Sequence, residues 1–240
     1  MNIVTISLYI YLLDTLSIVL YNNYGPPSSH VPASARWFFT HAFTNMLICK
    51  LGFPSLLFCL KNISTCATAS VDADGQQAIH SAIILHLYHI VAFYPHLTYN
   101  DYIHHGFMLG ISGPLCLMYP SRLVVMGLWF MSGFPGMIDY FLLWCVKMHW
   151  VDTMTEKYIY TLITMLIRSP GCLLSSFAAV PLLMNPSWTG GYVAMVLNAA
   201  LTFWNGQYYA MMTCFDYGSK IERVKHKIDD KSTSECSKQA

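Results

Sequence analysis

Long apolar stretches separated by short polar intervals run along nearly the whole chain, at roughly 2–21, 36–60, 76–95, 103–119, 122–147, 157–184 and 188–214. A bilayer crossing needs about 20 predominantly apolar residues. The pattern therefore predicts an all-α fold, a polytopic transmembrane helical bundle of about seven spans. The first stretch lacks a preceding basic segment and carries Asp14, which fits a retained membrane helix rather than a cleaved leader. The second contains Lys50, Gly52 and Pro54 and predicts a break or kink near 50–54. Beyond 214 the chain turns polar and charged. It divides into a first membrane helix and loop (1–35), the main bundle (36–214), and a tail (215–240) expected to be a short helix followed by disorder.

Composition agrees with the pattern. Of 240 residues 55% are hydrophobic and only 10% charged, where a soluble domain carries about a quarter charged; mean hydropathy is +0.44. With a formal net charge of +1 and no basic patch, nucleic acid is excluded as a partner. The eight cysteines show no CxxC spacing. Cys49, Cys59, Cys116, Cys145, Cys172 and Cys214 lie in apolar stretches and read as small buried hydrophobes, not as disulfide partners or zinc ligands, so no metal is expected. Lys220, Arg223, Lys225 and Lys227 mark the tail as cytoplasmic; Arg36, Lys147 and Lys157 fall on the same side, and only Lys61 and Arg122 on the other. With an odd number of spans the N-terminus is then outside. The sequon Asn62-Ile63-Ser64 falls on that outer side.

Ionisable groups within membrane segments are rare and tend to be functional. Asp101-Tyr102-Ile103-His104-His105 opens the fourth stretch. On a helix Asp101 stands at i,i+3 and i,i+4 from the two histidines, where a carboxylate would fix an imidazole tautomer. His86 and His89 share one face of the third stretch as a ligand pair or proton relay, or as histidines bonded inside a bundle. Gly106 and Gly110, four apart, predict close helix contact. In the fifth stretch Gly133, Pro135 and Gly136 predict a kink or unwound segment beside Asp139, for which Arg168 is the candidate partner. His41, Asp14, Asn198, Asn205 and Gln207 read as inter-helix hydrogen-bonding groups.

The tandem His104-His105 at the start of a span and the later Asp139-Tyr140 followed by Lys147 make the chain resemble the TLC-domain family of multispan membrane proteins over roughly 36–214. In the ceramide synthases of that family a paired histidine and downstream aspartates support acylation of a long-chain base by acyl-CoA. The resemblance implies a membrane protein of lipid metabolism in the endoplasmic reticulum, with a lumenal N-terminus. His104, His105 and Asp139 would be its catalytic groups, with Asp101, His86, His89 and Arg168 around the substrate. Acyl-CoA would be co-substrate, a membrane lipid the acceptor, and no other cofactor is implied. One histidine of the pair would serve as general base. The chain departs from the synthase motif at two places. Phe134-Pro135-Gly136 replaces its His-Asp step, and Leu142-Leu143-Trp144 replaces its last acidic position. A non-catalytic lipid-binding protein of the same fold therefore stands beside the acyltransferase reading. A di-iron enzyme would need about three histidine boxes, and only His86-x-x-His89 and His104-His105 are present.

Overall fold

The computed structural model describes residues 2–184 and 191–238. Its helices are α1 (Ile3–Tyr24), α2 (Ala33–Lys61), α3 (Ala73–Phe93), α4 (Tyr99–Phe107), α5 (Gly113–Met118), α6 (Arg122–Leu128), α7 (Phe134–Lys147), α8 (Thr153–Ile163), α9 (Ser169–Phe177), α10 (Val180–Leu183) and α11 (Tyr192–Lys238). Among the described residues there is no β-strand, only an isolated bridge between Ser70 and Ser121.

Three joints are single π-helical turns rather than loops: Met108–Ser112 between α4 and α5, Trp129–Gly133 between α6 and α7, and Thr164–Arg168 between α8 and α9. Each is followed two residues later by a proline, Pro114, Pro135 or Pro170. A proline ring collides with the carbonyl four residues back and offers no N–H. Widening the preceding turn relieves this without breaking the rod. The N–H groups of Gly113, Phe134 and Ser169 reach five residues back, to the carbonyls of Met108, Trp129 and Thr164. The irregularity expected around Gly133 and Pro135 is thus a widened turn in a continuous rod.

Five helical rods are long and apolar enough to cross a membrane: Ile3–Tyr24, Ala33–Lys61, Ala73–His96, Arg122–Lys147 and Thr153–Leu182. They identify a membrane protein. Large apolar side chains cover its outside, with Val4, Val91, Leu166 and Val193 each more than two-thirds exposed. Two of the seven expected spans do not reach that standard. The fourth is helical from Tyr99, but Asn100, Asp101 and the two histidines dilute it. The seventh begins with residues 188–190, outside the described residues, and within α11 it carries Asn198, Asn205 and Gln207.

α2 is the hub, packed on α1, α3, α6 and α7. Of the expected break or kink, the break is absent: α2 runs as one helix through Lys50, Gly52 and Pro54. Gly52 serves close packing instead: a Cβ there would lie 3.3 Å from Val125 and 3.4 Å from Trp129. Gly133 meets the α2 backbone at Cys49 in the same way. Gly106 and Gly110, expected at a helix contact, have nothing within 4 Å of such a Cβ. The helix face of α4 that meets the bundle carries His105, and both glycines lie on exposed positions.

Cys59 and Cys66 form a disulfide, where burial in an apolar stretch was expected. α2 ends at Lys61, so the chain can turn back and bring Cys66 to Cys59. At the opposite end of the hub, Arg36 grips Asp14 of α1 through Nε–Oδ1 (2.8 Å) and Nη2–Oδ2 (2.5 Å), and the Tyr88 hydroxyl of α3 donates to Asp14 Oδ2 at 2.7 Å. The tail also differs from expectation. α11 continues to Lys238, with no proline after its start, and Asp216 near the end of the predicted span takes Lys157 at 3.3 Å and Lys220 at 2.9 Å.

Candidate functional site

Four histidines of α3 and α4 converge with one from α2. His86 and His89 lie on α3 one turn apart; His104 and His105 lie on the second turn of α4. α4 is positioned by a capping box: the Thr98 hydroxyl accepts the Asp101 N–H, and Asp101 Oδ2 accepts the Thr98 N–H at 2.8 Å and its hydroxyl at 2.7 Å. This overturns the expected role of Asp101. Its carboxylate turns back to the helix start and hydrogen-bonds neither histidine, because an N3 acid after an N-cap threonine reaches the free donors there.

His86 Nε2 lies 3.2 Å from His104 Nε2, and His86 Nδ1 lies 2.7 Å from the Ala82 carbonyl. His105 is buried on the bundle side of α4, with its ring 5.3 Å from that of His86 and 4.8 Å from that of His89. No hydrogen bond reaches either ring nitrogen of His105 or of His89, although both residues are buried. Buried polar atoms without partners are uncommon and ask for an explanation. His104 is exposed at the flank of α4. The cluster therefore passes from an open imidazole to a buried, unbonded one.

His41, read from sequence as an ordinary inter-helix group, extends the row. Its ring lies 4.9 Å from His89 and 4.7 Å from Tyr140, and its Nδ1 is 2.8 Å from the Trp37 carbonyl. No local spacing links position 41 to 89 or 140; only the packing of α2 on α3 and α7 does.

Asp139 and Arg168 do not pair. Arg168 is buried and donates to the Tyr160 hydroxyl (2.8 Å) and to Asn205 Oδ1 (3.0 Å), with its guanidinium 4.4 Å from the Tyr209 ring centre. Tyr160 and Tyr209 were not singled out from sequence. The π turn ending at Arg168 brings its head to Tyr160, eight residues earlier. Asp139 makes no hydrogen bond or ion pair among the described residues. It is joined to the histidine row by sequence, through Tyr140 against His41, and not by contact with the pair. Glu156 is fully buried with the Lys157 ammonium 3.3 Å away.

A cavity of about 40 Å³ lies between α3, α6, α11 and the π turn after α4, and reaches Ala82, whose carbonyl is bonded to His86. It is lined by apolar side chains together with Ser112, Cys116, Asn198 and Thr202. The arrangement offers proton transfer or ligand binding by imidazole at a boundary between buried interior and lipid-facing surface. Comparison with protein-family models, curated proteins and solved structures gives no match.

Proposed function

We propose that the chain is a TLC-type membrane protein of lipid metabolism that transfers an acyl group from acyl-CoA to the amine or hydroxyl of a membrane lipid. The observation that carries this reading is the contrast between exposed His104 and buried, unbonded His105 and His89. A neutral imidazole nitrogen without a partner takes the proton from the nucleophile as it attacks the thioester carbon. The C–S bond breaks, and the imidazolium returns that proton to the departing thiolate. The acyl chain would lie along the exposed side of α4, beside His104.

Orientation follows the same reading. A disulfide belongs to an oxidising compartment, and Cys59–Cys66 with Asn62 stands at the end of α2 opposite the histidines. The lumenal side would hold the disulfide. The histidine row would lie toward the cytoplasm, where a soluble CoA thioester approaches, in the endoplasmic reticulum membrane with the N-terminus lumenal. The purified chain in lipid nanodiscs, supplied with acyl-CoA and a long-chain base, should yield the N-acyl product by mass spectrometry, and His105→Ala should abolish it.

A second reading, non-catalytic lipid binding, is favoured by the separation of Asp139 from the pair. It predicts no product, together with lipid binding that survives in a His104→Ala, His105→Ala double variant.

A further inference from the structure

We propose that His86, His104 and His105 bind a divalent transition-metal ion of the zinc type. One coordinating nitrogen from each residue falls within 4.8 Å of the others. One edge, His86 Nε2 to His104 Nε2, is 3.2 Å. Zinc–imidazole bonds of about 2.0–2.1 Å at tetrahedral angles set two ligand nitrogens about 3.3 Å apart. The edge already present matches that spacing.

Hydrogen bonding points the same way. His86 Nδ1 sits on the Ala82 carbonyl at 2.7 Å, so Nδ1 carries the proton and Nε2 presents a lone pair. Metal-bound histidines usually anchor their second nitrogen in this manner. A plain imidazole–imidazole hydrogen bond would account for His86 and His104, but it leaves both nitrogens of buried His105 without a partner. An ion shared by the three rings satisfies one of them. The His105 nitrogen lies within 4.8 Å of the other two, so a turn of its ring would bring it onto the ion. Three imidazoles and no carboxylate suit zinc, copper or nickel rather than magnesium or calcium. Exposure of His104 leaves the fourth position facing outward, the arrangement of a site that takes an exchangeable oxygen ligand. A lipid carbonyl or headgroup oxygen fits it.

This inference goes beyond the acyl-transfer reading and stands without it. If both hold, the ion polarises the acyl carbonyl, and the proton falls to His89, whose nitrogens stay free.

The test uses the full chain, purified in detergent without a histidine tag, stripped with a chelator and titrated with Zn²⁺ and Co²⁺. One equivalent should bind, and Co²⁺ should develop the visible bands of a four-coordinate site. His104→Ala, at an exposed position that tolerates truncation, should weaken binding at least about a hundredfold, beyond the usual effect of outer-shell changes. His96→Ala, an exposed position outside the cluster, should bind as the wild type does. The proposal is overturned if the wild-type chain binds no stoichiometric ion, or if His104→Ala binds as tightly as wild type. Binding is read without any acyl donor. A chain that binds the ion but produces no acylated lipid therefore refutes acyl transfer and leaves the site standing. A chain that turns over without binding any ion does the reverse.

Discussion

His86 and His104 meet Nε2 to Nε2 at 3.2 Å, joining α3 to α4 across the turn at 94–98. α4 is short and largely exposed, and this contact ties it to α3 while His105 packs against the bundle without a hydrogen bond. In metal-free protein, truncating either His86 or His104 removes the same interaction. A double-alanine cycle on chelator-treated protein should therefore show a coupling of about 0.5–1.5 kcal/mol, the net worth of one hydrogen bond. Equilibrium unfolding in detergent measures it. Simple additivity of the two single variants would show that the rings do not meet.

The glycines divide into those that the packing requires and those that it does not. A Cβ on Gly171 would lie 2.0 Å from the Phe130 ring, and one on Gly136 would lie 2.6 Å from Asn45 Nδ2. A Cβ on Gly106 or Gly110 meets nothing. Gly171→Ala should lower stability by about 1–3 kcal/mol through overpacking. Gly106→Ala should leave it unchanged, or raise it by up to about 1 kcal/mol, as alanine does in a helix interior. Thermal unfolding of the two variants side by side tests this. Pairing Gly171→Ala with Phe130→Leu should recover part of the loss if the ring is the obstacle.

What could be read from the chain beforehand follows from how local each signal is. The apolar runs gave the five long rods because each run reports its own helix. The Thr98-x-x-Asp101 box is equally local, but the same Asp101 also stands at i,i+3 and i,i+4 from the two histidines, so spacing alone does not separate a cap from a histidine partner. The three π turns were written in the prolines that follow them, although a widened turn and a break leave the same trace in sequence. His41, Tyr160 and Tyr209 join the polar groups only through helix packing, and Cys59 finds Cys66 only because α2 stops at Lys61. No spacing rule reaches across those gaps.

Asp14 is almost wholly buried and is held by Arg36 and Tyr88 from two other helices. Removing one partner of such a pair leaves an uncompensated charge in a poorly solvated place, which is far costlier than the pair is stabilising. Arg36→Ala should therefore destabilise by about 3 kcal/mol or more. Tyr88→Phe, which removes a single hydrogen bond to a charged acceptor, should cost about 1.5–3 kcal/mol. Replacing both ions, as Asp14→Leu with Arg36→Met, should be milder than Arg36→Ala alone. Thermal melts of the three variants order them, and a double replacement worse than the single one would contradict a burial penalty at Asp14.

The Cys59–Cys66 bond closes a loop of seven residues' separation that carries Asn62 at the end of α2. Constraint of so short a loop in the unfolded chain is worth about 2–3 kcal/mol by the chain-entropy relation. Cys66→Ser should lower stability by that amount, and reductant should lower the wild type to the same level while leaving the variant unmoved. The same loop reports topology. On the proposed orientation the loop is lumenal, so with the native cysteines replaced a Lys61→Cys variant, at an exposed position beside the loop, should resist maleimide applied to intact vesicles that expose the cytoplasmic face and should react when the reagent is admitted to the lumen. Labelling from the cytoplasmic face would invert the orientation, and would move the histidine row to the lumenal half, away from any soluble acyl-CoA.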